Sequence, residues 1–225
     1  MHWFNLLFMH WPLPVAALRE YIPASLEIDT FENSAWLGLV PFEMRKVRPR
    51  YLPSISGLST FPELNLRTYV RFQGCPGVWF FSLDAGNPVA VRLARATFFL
   101  PYFDAAMGHH RVDHVSTFKS VRTHKRSSAA SFEARYRPVG PIRRAVPGSV
   151  EHFLTERYCF FSADRNSRIY RCDVHHRPWP LQSAEADVSL NRMGQQIAIQ
   201  LPEVAPLLHY AENLAVLGWW PERLG

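Results

Sequence analysis

The strictest pattern in the chain runs over residues 63–73. Leu64, Leu66, Thr68, Val70 and Phe72 alternate with Glu63, Asn65, Arg67, Tyr69, Arg71 and Gln73. Successive side chains of a strand point to opposite faces, so this segment predicts a β-strand with one apolar and one polar face. Gly74-Cys75-Pro76-Gly77 predicts a turn. The run Val78-Trp79-Phe80-Phe81 after it is apolar without alternation, which suits a strand over 78–85 buried on both sides. Further strands are predicted over 26–31, 35–48, 112–123, 130–137, 159–163, 169–175 and 184–190, the first two joined by a turn at Glu32-Asn33-Ser34. Helices are few and short. One over 15–22 has Pro14 in its first turn and ends at Pro23. One over 88–98 opens with Asn87 as cap and Pro88 at the first helical position, and Pro101 closes it. One over 150–157 has Ser149 as its cap. Many short strands and few helices predict a mainly β (α+β) protein, a closed or nearly closed antiparallel barrel, rather than a wound α/β sheet. The helix over 88–98 would pack on the barrel or in its mouth.

Composition adds limits. With 225 residues, no internal repeat and no low-complexity linker, residues 1–225 are expected to form a single domain. The apolar fraction of 48% and charged fraction of 20% suit a globular chain with a sizeable core. The apolar start, Met1 to Met9, lacks a basic leader and is interrupted by Asn5, His10 and Pro12, which argues against a signal peptide or a membrane span. Cys75, Cys159 and Cys172 are odd in number and far apart, so neither a disulfide framework nor a Cys-x-x-Cys motif is present, and a cytoplasmic location is expected. Only Lys46, Lys119 and Lys125 supply side-chain amines, against many arginines, which leaves few candidates for amine chemistry.

Four stretches carry a resemblance. Gly57-Leu58-Ser59-Thr60-Phe61-Pro62-Glu63-Leu64-Asn65-Leu66-Arg67-Thr68-Tyr69-Val70 resembles the signature of the YqjF-like bacterial family of unknown function. Gly77 to Ala85, Glu151 to Tyr158 and His175 to Gln182 follow in the places that family has them. That family is similar, more distantly, to acetoacetate decarboxylase, and the resemblance implies a cone-shaped β-barrel around a buried pocket. The decarboxylases carry Gly-Arg-Glu on a helix and a Pro-Lys-Lys run at a fixed spacing after it. Here Ala94-Arg95-Ala96 and Pro101-Tyr102-Phe103 stand at those places, so the arginine and the proline are kept and both lysines are gone. Imine formation needs a primary amine held neutral, which tyrosine and phenylalanine cannot replace. Of the remaining lysines, only Lys119 lies in a predicted strand where it could face inward.

The candidate ligand contacts are Glu63, Asn65 and Arg67 on the polar face of the alternating strand, Arg95 and Tyr102 at the decarboxylase-like positions, and Glu156. A carboxylate, an amide and a guanidinium in a row are costly inside a barrel without a purpose, whereas outside it the same face would simply be solvated. Alternation alone leaves both readings open. The expected partner is a small anionic organic molecule held by arginine, with no Schiff-base catalysis. The alternative is an enzyme using Glu63 or Glu156 as acid and base. A third reading takes the basic runs Arg122 to Arg126 and Arg143-Arg144 as contacts for nucleic acid or an anionic surface, although no recognised motif accompanies them. Neither nucleic acid nor membrane is expected as a partner, and self-association is left open. No cofactor is expected. No metal site is expected either, because neighbours such as His175 and His176 point to opposite faces of a strand. A phosphate-binding glycine loop is absent, and Gly57-Leu58-Ser59 lacks the second glycine of a nucleophile elbow.

Overall fold

The computed structural model describes residues 1–48 and 59–225; Gly57 and Leu58, which open the family signature, lie outside the described residues. The strands are β1 (His2–Leu13), β2 (Glu27–Ile28), β3 (Ala35–Arg45), β4 (Phe61–Phe72), β5 (Cys75–Ala85), β6 (Tyr102–Val112) and β7 (Val115–Arg122). They continue as β8 (Ser131–Arg143), β9 (Cys159–Ala163), β10 (Ile169–His176), β11 (Leu181–Asn191), β12 (Leu207–Gly218) and β13 (Glu222–Arg223). The helices are α1 (Ala16–Arg19), α2 (Pro88–Thr97) and α3 (Val150–Thr155), with a 3-10 turn at Gly194–Ile197. None of the helices among the described residues is long and apolar enough to cross a membrane.

The sheet closes on itself twice. One ring runs β5-β6-β7-β8-β11-β12-β1-β3-β4 and back to β5. The other leaves β5 through β9 and β10 to β12, then returns through the same β1, β3 and β4. Strands β12, β1, β3, β4 and β5 are therefore a common wall between two compartments. Pairing is antiparallel except where β5 meets β6 and β9, both of which run parallel to it. The predicted mainly β, closed architecture is what the chain adopts.

The wall explains the apolar runs. In β1, Leu7, Met9, Trp11 and Leu13 enter the first compartment, with Leu37 and Leu39 of β3, Leu64, Leu66 and Val70 of β4, and Phe118, Phe132 and Tyr136 from the far side. Leu6 and Phe8 enter the second, with Val40 and Phe42 of β3, Leu83 of β5, Val91 of α2 and Trp179. A strand buried on both faces has no reason to alternate. For that reason β1, which has no counterpart among the predicted strands, is unreadable by period; β12, half exposed, has no predicted counterpart either. Strand β6 also has no predicted counterpart, and the expected strand over 112–123 is only β7.

Local chemistry fixes the joints. The β4–β5 turn is tighter than the expected four residues: Phe72 pairs with Cys75, and only Gln73 and Gly74 turn, both at positive φ (49° and 80°). That is the backbone a two-residue hairpin needs, and glycine adopts it freely. The Asn87 side chain accepts from the amides of Val89 and Ala90 and starts α2 as expected. Ser149 does the same for α3 through His152. Helix α1 is shorter than predicted, and most of the predicted strand over 26–31 is irregular. Its paired part, β2, bonds to β4 rather than to β3.

Candidate functional site

Strand β4 places the predicted polar face inside the second compartment from Glu63 to Tyr69, whereas Arg71 and Gln73 at its end reach solvent. Glu63 and Asn65 are buried, Arg67 is partly buried and Tyr69 is fully buried. The polar row is thus neither solvated nor facing the same space as Leu64 and Leu66; the wall buries both faces of β4.

At one end of the row the Tyr102 hydroxyl donates to Glu63 Oε2 at 2.7 Å. Burial raises the Glu63 carboxyl from its ordinary 4.5 to about 7; hydrogen bonds from Tyr102 and Asn65 pull it back, and the Asp84 charge pushes the same way as burial. Glu63 therefore exchanges its proton near neutrality, in a place where either charge state has a hydrogen-bonding partner. Burial likewise drives the Tyr102 hydroxyl well above its usual value, which keeps it a donor.

At the other end His10 Nε2 meets the Tyr69 hydroxyl at 2.7 Å. The imidazole crosses over Gly38, where a Cβ would come within 3.1 Å of His10 Cδ2 and 3.2 Å of Arg67 Cγ. His10 on β1 and Arg67 on β4 are each paired with Gly38 on β3, so the missing side chain lets them share the space above it. Burial, then the nearby charges of Arg67 and His209, hold His10 well below its usual value and therefore neutral. The Arg67 guanidinium carbon lies 5.5 Å from the Phe8 ring centre and 5.8 Å from that of Tyr69.

Three buried atoms along this row have no hydrogen-bond partner: Asn65 Oδ1, Arg67 Nε and His10 Nδ1. Most buried polar groups are satisfied, and an orphan costs about 1–3 kcal/mol. Three of the unpartnered buried atoms among the described residues thus fall along this one row.

Trp179 covers the compartment. Its ring stacks on Trp3 at 5.9 Å and meets Phe8 edge-on at 4.9 Å. Glu156 holds it in place: Oε1 accepts from the Trp179 amide at 3.0 Å, and the other oxygen accepts from the Tyr158 hydroxyl. On the flank, Arg157 pairs with Asp29 at 2.6 Å and lies over the rings of Phe153 and Tyr69.

Residues 1–215 match a family described as an uncharacterized conserved protein. The uncharacterized protein YqjF of Bacillus subtilis (strain 168) is 46% identical over 221 residues, which cover 98% of this chain and 90% of that protein. The chain belongs to this family. Among solved structures, the fold is similar to acetoacetate decarboxylase, with a TM-score of 0.63 at 14% identity over 99% of this chain and 88% of the other. An acetoacetate decarboxylase-like enzyme from Sphingomonas wittichii RW1 gives 0.64 at 12% identity, covering 100% and 91%. The enduracididine biosynthesis enzyme MppR gives 0.65 at 11% identity, covering 100% and 86%. Within this family's chain, then, the two rings are an acetoacetate-decarboxylase-like fold.

Tyr102, standing where the decarboxylase resemblance puts a lysine, is buried and turned onto Glu63. The three lysines lie elsewhere: Lys46 and Lys125 are exposed, and Lys119 points out of β7 to pair with Glu133 at 2.7 Å. Two expected contacts stand apart from the row. Arg95 is exposed on α2, its Nη1 donating to the Tyr102 carbonyl at 2.6 Å, so it braces the backbone beneath that side chain. The correction has a simple cause: α2 lies outside the ring, and the nearest acceptor for a long cationic side chain there is a strand-end carbonyl. Glu156 likewise spends both oxygens on positioning the Trp179 segment.

Half of the basic side chains in the two runs are engaged with carboxylates. Arg122 is buried against Asp84 at 2.5 Å, His124 meets Asp104 at 2.9 Å and Arg143 meets Glu151 at 3.2 Å. His175 is exposed and His176 buried, on opposite faces of β10 as the alternation requires. His10 had no signal in the sequence, because it sits in an unread strand; Trp179 lies in the family stretch 175–182 but is not among the expected contacts. A cavity of about 430 Å³ opens elsewhere, at the polar rim of the first ring beside Asn5, Glu43, His109 and Arg111. His109 there is already engaged, Nδ1 with Glu43 and Nε2 with Ser116, and Asn5 Oδ1 accepts from Arg111 and Tyr210. The site assignment therefore rests on the unpaired chemistry of the Glu63 row and not on a cavity volume.

Proposed function

We propose that the second compartment binds a small anionic organic molecule along Glu63, Asn65 and Arg67, beneath Trp179, without forming an imine. The observation that carries this reading is the row of unpartnered buried atoms, led by Arg67 Nε, next to a carboxyl that can be neutral at physiological pH. A carboxylate arriving beside Arg67 accepts charge-assisted hydrogen bonds, and a neutral Glu63 does not repel it. The absence of any lysine from this space argues against a covalent amine mechanism. A solved complex of MppR, similar in fold only, contains pyruvate, a ligand of the class proposed.

Thermal melts with pyruvate, acetoacetate and a series of related small carboxylates test this. A ligand at a hundredfold excess over its dissociation constant stabilises the fold by about 2.7 kcal/mol, and Arg67→Met removes that gain. Failure of every carboxylate to raise the melting temperature, or a rise that survives Arg67→Met, overturns the reading. Borohydride trapping with acetoacetate is expected to add no mass.

A second reading is favoured by one observation: Glu63, at about 7, has the protonation balance of a general acid or base. On that reading turnover of a bound carboxylate follows a titration near pH 7 that disappears in Glu63→Gln. Glu156, with both oxygens engaged, is not the partner.

A further inference from the structure

Strand β5 forks. Its first half pairs with β9 at Val78 and Trp79, and its last residues pair with β6 from Leu83 to Ala85. Along that edge Phe80, Phe81 and Ser82 have no strand partner in these pairings, and on the opposite edge a register shift passes over Phe81. The gap between the end of β9 and the start of β6 is a cleft of about 300 Å³. The 3-10 turn closes part of it, with Gln196 Nε2 donating to Ser82 Oγ at 2.8 Å and Ile197 facing the space.

Two independent features mark the cleft as built for an occupant. Its lining is aromatic: Trp79, Phe81, Phe99 and Phe161 stand around it, and no charged side chain lines it. Ser162, only 3% exposed, also lines it, and its Oγ has no hydrogen-bond partner. A lone hydroxyl among aromatic rings offers one directional contact, and rings favour a flat partner through edge and face contacts. Phe99 supports the same view. It follows α2 at φ 54°, a left-handed position where glycine is the usual residue, and its ring meets Tyr170 at 4.5 Å. The volume bears on size, since a cavity near 150 Å³ accepts benzene. Charged ligands are disfavoured because nothing there would balance their desolvation.

We infer that this cleft binds a neutral, flat aromatic molecule of about two fused rings, with one polar group hydrogen-bonded to Ser162 Oγ. The site is separate from the Glu63 row and does not rest on it.

The test uses the full-length chain and two probes, 2-naphthol and naphthalene, with binding followed by calorimetry at pH 7. 2-Naphthol is expected to bind saturably at one site, and naphthalene about fivefold more weakly for want of one hydrogen bond. Ser162→Ala lowers 2-naphthol affinity by about the same factor, leaves naphthalene unchanged, and raises the melting temperature of the ligand-free protein because an orphan hydroxyl is gone. Ala163→Trp fills the cleft and abolishes binding of both probes; if that variant does not melt cooperatively, Ile197→Trp fills it from the other side. Arg67→Met leaves both probes bound. Absence of saturable 2-naphthol binding, an equal effect of Ser162→Ala on the two probes, or loss of binding in Arg67→Met overturns the inference.

Discussion

Strand β4 shows Leu64, Leu66 and Val70 to one compartment and Glu63, Asn65, Arg67 and Tyr69 to the other. On the first side Tyr136 donates to the Asn5 carbonyl and His109 spans Glu43 and Ser116 at the rim, while Ser120 Oγ, on the buried face of β7 with Phe118, has no partner. Between them Phe118, Phe132 and Leu7 fill the space. On the second side the same wall carries polar groups into the interior and leaves several unpaired. A molecule that needed only stability would have no reason to differ so sharply across one sheet. The first compartment is filled mainly by apolar side chains, and the second carries a longer row of buried polar ones.

Substitutions that act on one side alone sharpen the contrast. Phe118→Ala, in the filled compartment, is expected to destabilise by roughly 3–5 kcal/mol in chemical denaturation, through lost transfer energy and a cavity. A loss below about 1 kcal/mol would mean that this side is not tightly packed.

Glu63→Gln is expected to behave in the opposite way. In the folded chain Glu63 titrates at about 7, against an ordinary 4.5, so the folded state holds a proton that the unfolded state has released. Its contribution is fully present below about pH 4.5 and is lost as pH rises through about 7, on the order of 3 kcal/mol in all. Relative to wild type, Glu63→Gln should therefore gain stability between about pH 4.5 and 7 and hold that gain above it. A pH-independent difference between the two would place Glu63 in contact with water.

Gly38→Ala is smaller in scale. Its Cβ would press on His10 and Arg67 at 3.1 and 3.2 Å, and the strain is expected to cost about 1–2 kcal/mol. It should also lengthen the bond from His10 to Tyr69, which a structure of the variant would reveal. Arg67→Met is expected to change stability least, by under about 1.5 kcal/mol, since the stem volume remains and an apolar side chain beside Phe8 and Tyr69 offsets the guanidinium contacts that are lost. Its effect belongs to ligand-dependent stabilisation, measured by the same melts with and without carboxylate. A loss of several kcal/mol without ligand would make Arg67 a structural ion-pair partner instead.

The alternation over 63–73 was enough to recognise a strand, and Asn87-Pro88 and Ser149 were enough to place two helix starts, because caps and period are local physics. The family signature pointed to a barrel, and Tyr102 and Phe103 at the lysine positions argued, on chemistry alone, against an imine mechanism. Which face of β4 looked inward was not legible, since alternation describes two faces and not what lies beyond them. Only closure of two rings on a common wall buried both. The same closure explains why β1 escaped notice, and with it the histidine that reaches Tyr69 across Gly38. Arg95 and Glu156 were readable as polar residues near the right motifs, yet their partners, a carbonyl of β6 and the amide of Trp179, are set by contacts between segments that no local pattern encodes. The orphan atoms that define the site are a property of the assembled interior, where a polar group's worth depends on whether its neighbours, drawn from distant strands, leave it a partner.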